Sequence, residues 1–179
     1  YLLLTVSYSF WFKHWVIVDV LVLSAGFVLR VAAGCMSLPV DISPWLILCT
    51  LFLALFMGLC KRRHEILLLG ENSVSTRKVL PHYTAQLLDQ MIAAVTALTI
   101  MAYSLYTFNA DHTVFLGRES PWVMLTIPFV MYGVFRYLYL VYRKDLGGTP
   151  EDVFTDRPML INLLLWGLIV VYLSVKAPG

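Results

Sequence analysis

The sequence predicts an all-helical, multipass membrane bundle, and three observations carry that prediction. Apolar residues fill 60% of the 179 positions, and the mean hydropathy is +0.78. Only 13% of the residues are charged, about half the share of an ordinary soluble domain. The apolar residues also fall in runs long enough for bilayer-spanning helices, without the alternation of a half-buried strand.

The runs can be taken in order. Tyr1 to Phe12 is apolar but short, and ends at Lys13-His14, so it reads as the tail of a truncated helix. Trp15 to Met36 is the first complete span, and Pro39, Asp41 and Pro44 mark the turn after it. Trp45 to Cys60 is the second span. A polar connection follows from Lys61 to about Tyr83, within which Arg62 to Gly70 can continue the helix before Glu71-Asn72-Ser73 breaks it. Gln86 to Phe108 is the third span, headed by Asp89-Gln90. Pro121 opens a fourth, running to Tyr142, and Met159 to Val175 is the fifth.

Lys and Arg distribute unevenly over the two sides of such a bundle. One side receives Lys13, Lys61, Arg62, Arg63, Arg77, Lys78, Arg143, Lys144 and Arg157, and the other Arg118 and Lys176. The cation-rich side is expected to be cytoplasmic, with the C-terminus outside. A net charge of +2 is too small to point to nucleic acid. Cys35, Cys49 and Cys60 lie in or beside apolar runs with no CxxC spacing, and His14, His64, His82 and His112 are scattered, so neither set reads as a metal site.

Ionisable residues inside the runs carry the functional signal, because each costs on the order of 2.5 to 3.5 kcal/mol at a helix centre unless it faces protein or water. Asp19, Leu23, Gly26 and Arg30 share a helical face and are expected to face the interior. Asp19 and Arg30 stand roughly 16 Å apart along the axis, so each needs its own partner. The stripe is either structural, with Gly26 permitting close packing, or the wall of a substrate cavity. Arg136 and Tyr137 sit about two turns inside the fourth span, and Tyr132, Arg136, Tyr139 and Arg143 recur at helical spacing. That is either an aromatic belt with a snorkelling Arg or, given the depth of Arg136, an inward anion contact.

In the last polar connection, Gly147 to Asp152 reads as a helix start with Thr149 as N-cap and Pro150 at the first position. Asp152 and Asp156 then stand at i, i+4 and could hold a divalent cation bearing a diphosphate. Equally, Asp152 could cap the helix and Asp156 pair with Arg157. Positive-inside statistics account for Lys61-Arg62-Arg63 without any chemistry. They do not account for Arg136 within a span, whereas a phosphate-rich substrate does.

These strings together have a recognisable order: Tyr8-Ser9-Phe10 with Lys13-His14, Asp19, "GFVLRVAAG" from Gly26 to Gly34, "KRRHEILLLGE" from Lys61 to Glu71, Arg136-Tyr137, and "GGTPEDVFTDRP" from Gly147 to Pro158. The chain resembles the UbiA prenyltransferase superfamily, and within it the phosphoribosyltransferase branch, along nearly its whole length. The resemblance implies a nine-helix bundle with a cavity facing the cytoplasm of a bacterial plasma membrane. It implies transfer of 5-phosphoribosyl from phosphoribosyl diphosphate to a polyprenyl phosphate, with magnesium, for arabinan-type cell-wall precursors. The superfamily's first aspartate-rich motif, NDxxDxxxD, is not in this sequence. Residues 1–179 are then expected to be the C-terminal part of one UbiA-like domain, lacking about three helices and part of a fourth. Where ordinary aromatic prenyltransferases carry a second aspartate motif, this chain has Lys61, Arg62, Arg63 and Glu65.

Carried over on that resemblance, Lys61, Arg62 and Glu65 are the first substrate-binding candidates, then Lys13, Arg136 and Tyr137, with Asp19 and Arg30 as cavity-lining candidates. Asp152 and Asp156 are the candidate magnesium ligands in this stretch. Two other readings compete: a UbiA-type prenyltransferase acting from a polyprenyl diphosphate on an aromatic or other acceptor, and a non-catalytic transporter or scaffold for a lipid phosphate. Without the first aspartate motif, residues 1–179 on their own are expected to show no turnover, and measurable transfer by this segment in a detergent assay would overturn that expectation.

Overall fold

The structure, a computed structural model, describes residues 15–36, 43–69, 83–108, 121–143 and 155–176. All regular structure among them is helical: α1 (Val18–Met36), α2 (Pro44–Leu69), α3 (Ala85–Phe108), a 3-10 segment (Pro121–Thr126) leading into α4 (Ile127–Arg143), and α5 (Arg157–Lys176). Four stretches are long and apolar enough to cross a membrane: Val18–Met36, Pro44–Leu68, Ala85–Phe108 and Trp122–Arg143. The bundle class expected from the sequence is what forms. The stub Tyr1 to Phe12 lies outside the described residues.

Three of the helices begin at residues suited to a first turn. Ser43 precedes Pro44, and its carbonyl accepts from Ile47 N–H at 3.3 Å. Proline suits the first turn because its missing donor has no helical partner there. Thr84 caps α3, its Oγ1 accepting from Leu87 N–H at 3.1 Å and its carbonyl from Leu88 N–H at 3.1 Å. Pro128 cannot donate back to the carbonyl four residues earlier; the run before it is wound as the tighter 3-10 helix. Asp156 caps α5, its Oδ2 accepting from Met159 N–H at 3.2 Å. The alternative N-cap at Thr149 lies outside the described residues.

α2 settles the question of where the cationic cluster sits. The sequence put Lys61 onward in a polar connection, with a helical continuation as an option; the helix runs unbroken through it to Leu69. No Gly or Pro interrupts Cys60 to Leu69, and the residues there are good helix formers. At 26 residues the helix is about 39 Å long, beyond the ~30 Å hydrocarbon core of a bilayer. Lys61, Arg62 and Arg63 therefore ride on a rigid helical surface.

α2 is the central element, packed between α1 and α3, while α4 packs on α3 and α5. The buried core gathers Val20, Phe56, Leu59, Leu88, Ile92, Val134, Tyr137, Val141 and Met159. Hydroxyls in the apolar interior are satisfied by their own helices: Thr96 and Thr99 donate to the carbonyls of Ile92 and Val95 at 2.7 and 2.8 Å. Large apolar side chains such as Phe27, Leu98, Phe135 and Leu168 face outward, as a bilayer allows.

The close approach of α1 to α2 is at Gly58, where an added Cβ would stand 2.7 Å from Cγ1 of the buried Val20. Valine has no flexible end to swing away, so the helices would have to separate. Gly58→Ala is expected to destabilise the protein by about 1–3 kcal/mol, read as a lowered thermal unfolding midpoint in detergent.

Candidate functional site

Polar side chains from all five helices meet at one end of the bundle, where α2 and α4 finish and α1, α3 and α5 begin. Each neighbouring pair of helices is tied there by a charged contact. Arg62 Nε on α2 donates to Asp19 Oδ2 on α1 at 2.9 Å. Arg63 Nε donates to Asp89 Oδ1 on α3 at 2.6 Å. Tyr142 of α4 donates its hydroxyl to the same Asp89 oxygen at 2.7 Å, and the Arg63 guanidinium lies 4.0 Å over the Tyr142 ring. Arg136 of α4 grips Asp156, at the head of α5, with Nε at 2.8 Å and Nη2 at 2.9 Å.

The first of these links is the most deeply buried. Asp19 is fully buried and Arg62 is 1% exposed. Arg62 also pairs through Nη1 with Glu65, one turn on. Tyr83, just before α3, donates to Asp19 Oδ1 at 2.8 Å while accepting from Ile17 N–H at 2.5 Å. Burial, together with the Asp19 carboxylate, holds the Tyr83 phenol well above its ordinary range. It stays the protonated donor that an acceptor-only carboxylate requires.

Measured against the sequence candidates, Asp19, Arg62 and Glu65 come together directly, with Lys61 exposed on the adjoining face of α2. Arg136 does make an anion contact, with the protein's own Asp156, and stacks 4.9 Å over Tyr139. Tyr137 turns the other way, buried against Phe56 with ring centroids 5.4 Å apart. The stripe expected to face inward divides. Asp19 and Gly26 are buried, but Arg30 is exposed, its guanidinium 5.1 Å from the Phe27 ring. The buried residues of α1 all lie in its first half, up to Gly26, so Arg30 is beyond the reach of the cluster. Lys13 lies outside the described residues.

Of the two candidate magnesium ligands, Asp156 is among the described residues. Asp156 pairs with Arg136 instead of Arg157, because antiparallel α4 presents a guanidinium fork to the start of α5 and both carboxylate oxygens are taken. Asp152 lies outside the described residues. Among the described residues no three acids, histidines or cysteines gather into a cation site.

Below the polar end lies a partly open cavity of about 310 Å³, bounded by α2, α3, α4 and α5. Phe56, Tyr137 and Met159 form its wall nearest the charged cluster, and Tyr103 and Trp166 stand farther along it. Four polar side chains on its wall are already engaged. Thr99 bonds within α3, Asn162 donates to the Phe129 carbonyl at 2.9 Å, Trp166 donates to Tyr103 at 3.2 Å, and Tyr103 shares a 2.7 Å bond with Thr126. A wall with its donors and acceptors spent suits hydrocarbon. The whole therefore presents cations above an apolar slot, the shape of an amphiphile with an anionic head.

Two contributors escaped the sequence reading. Tyr83 gave no signal, since a Tyr in a polar connection has no periodicity to betray it. Asp89 was noted only as a polar residue at the head of a span; the excess of cations facing it on α2 was the available hint. Because Asp19 and Arg62 are both withdrawn from water, removing one partner strands the other. Arg62→Ala is expected to cost about 3–5 kcal/mol, and Asp19→Asn combined with Arg62→Met to recover much of it, measured by thermal unfolding in detergent.

No protein-family model matches the chain. Curated relatives do. It is 32% identical over 174 residues, 96% of its length, to a decaprenyl-phosphate phosphoribosyltransferase of Corynebacterium glutamicum. It is 28% identical over 172 residues to one of Mycolicibacterium smegmatis, and 30% over 168 residues to one of Mycobacterium tuberculosis. These matches take in 51%, 54% and 53% of the relatives' own lengths. The chain is thus a homologue of bacterial proteins named decaprenyl-phosphate phosphoribosyltransferase, matching them along nearly all of its own length while spanning about half of theirs.

Proposed function

We propose that the protein carrying this chain is a membrane phosphoribosyltransferase that moves 5-phosphoribosyl from phosphoribosyl diphosphate to a polyprenyl phosphate. An oxygen of the lipid phosphate attacks the anomeric carbon, the bond from that carbon to the diphosphate breaks, and pyrophosphate leaves with the bonding pair. The observation that carries the reading is the similarity, over 96% of this chain, to an enzyme named for that transfer.

The arrangement supports it physically. Both reactants carry phosphate, and neither needs a protein nucleophile, so the enzyme's task is to place them and to neutralise charge on the leaving group. Lys61, exposed beside the Arg62–Glu65 pair, is the side chain best placed to meet a phosphate. Arg136, with its side chain 23% exposed, is the second. Arg62 acts from behind, holding Glu65 and the start of α1 in register. The cavity past Tyr137 accommodates the first part of the polyprenyl tail, which anchors the lipid phosphate at the cationic end.

Magnesium belongs to the same proposal, with Asp152 and Asp156 as its candidate ligands in this stretch; when bound it would neutralise the diphosphate. A cytoplasmic orientation of the cationic end and a role in supplying cell-wall arabinan precursors complete the reading.

The test uses the full protein in nanodiscs with magnesium, phosphoribosyl diphosphate and polyprenyl phosphate. Pyrophosphate and a phosphoribosyl-lipid are expected, with Lys61→Ala lowering the rate about 100-fold. Prenyl transfer from a polyprenyl diphosphate, with no phosphoribosyl-lipid, would overturn the assignment.

A further inference from the structure

The described backbone has one non-glycine residue in the left-handed region: Ile17, at φ 70°. A β-branched side chain there is a strong outlier, and such a conformation costs on the order of 1–3 kcal/mol unless its surroundings hold it. Ile17 closes the turn that leads from Trp15 into α1. Its carbonyl already serves the helix, accepting from Leu21 N–H at 3.0 Å, and the Trp15 carbonyl accepts from Asp19 N–H at 3.1 Å. The remaining backbone group at Ile17, its N–H, goes to the Tyr83 hydroxyl.

That hydroxyl comes from a segment 66 residues away in sequence and is itself 4% exposed at the residue level. It joins the strained turn to the buried carboxylate that holds Arg62. One side chain therefore couples three things: the left-handed turn, Asp19, and through Asp19 the cationic end of α2. Ordinary packing would require the Tyr83 ring but not its oxygen.

We propose that Tyr83 is a positioning residue whose hydroxyl locks the left-handed Ile17 turn onto the Asp19–Arg62–Glu65 cluster, fixing how the start of α1 meets the cationic end of α2. The proposal rests on the phosphoribosyl-transfer reading only for what is positioned, the candidate phosphate-binding residues. The lock itself is independent of it. Tyr83 touches no reacting atom in this account; it acts through Ile17 and Asp19.

Two substitutions separate the lock from mere packing. Tyr83→Phe keeps the ring and removes the oxygen. Ile17→Gly removes the strain, since glycine occupies positive φ without a steric penalty. In the full protein, Tyr83→Phe is expected to raise the KM for phosphoribosyl diphosphate about tenfold with kcat and the KM for the lipid nearly unchanged. Ile17→Gly alone is expected to stay near the parent, and the double variant to recover most of the loss. Amide hydrogen exchange gives a readout that needs no activity: faster at residues 17 and 19 in Tyr83→Phe, and slowed again in the double variant at residue 19, whose N–H goes to the Trp15 carbonyl. An unchanged KM and exchange rate in Tyr83→Phe would refute the lock. So would a defect that Ile17→Gly fails to relieve, or one in which kcat and both KM values fall away together. If the parent shows no phosphoribosyl transfer but the exchange pattern holds, the functional reading fails while the lock stands.

Discussion

A carboxylate carried into an apolar bundle must meet a cation and enough donors to use its lone pairs, or lose its charge. Asp19 imposes that constraint on the structure. Its two oxygens take Arg62 from α2 and Tyr83 from the start of α3, so satisfying one side chain fixes three elements relative to one another. The close contact of Gly58 with Val20 lies one turn farther along the same interface. Because that glycine carries no side chain, α1 can come near enough for the pair to form without water between its members.

The same logic repeats around the end of the bundle. Arg63 with Asp89, Tyr142 with Asp89, and Arg136 with Asp156 tie α2, α3, α4 and α5 in succession. These contacts differ in what they contribute. The Asp19–Arg62 pair is dry and strongly directional, while Asp89 is 40% exposed and its pairing is screened by solvent. In the Arg136–Asp156 pair it is the cation that is the more exposed member, 23% against 4%, so Arg136 and the exposed Lys61 supply the cationic surface at this end. An end built in this way can attract phosphate without holding an uncompensated buried charge.

Placing the cationic cluster on a helix also changes what it can do. A loop carrying three cations serves topology equally well, but its side chains are not held in any fixed relation. On α2 the successive residues diverge by about 100° each, and their fates differ accordingly: Lys61 is exposed, Arg62 is buried against α1, and Arg63 reaches α3 and α4. Three like residues thus acquire three roles from helical geometry alone. The apolar cavity beneath them runs along the same helix from Met57 to Cys49, which places the cationic end and the apolar slot on one rigid element.

Sequence by itself determined the class of the molecule, because hydropathy, run length and the scarcity of charge are properties of composition and order and need no partner. It also determined that Asp19 required oppositely charged company, since its exposure to lipid is too costly, while it left Arg136 between a snorkelling belt and an anion contact. It came close on the helix ends, where Thr84, Pro44 and Asp156 act on groups within a few residues. Which partner each charge found was decided only in three dimensions. Asp19 could have met any nearby cation, and antiparallel packing of α1 on α2 brought it Arg62; Asp156 had Arg157 beside it in sequence, yet the crossing of α4 and α5 gave it Arg136. Arg30 shares a helical face with Asp19 but not its burial, because the inward-facing residues of α1 stop at Gly26. Tyr83 was illegible for the same reason: its hydroxyl matters through a contact 64 residues distant, and no local pattern encodes a meeting that the packing of other helices brings about.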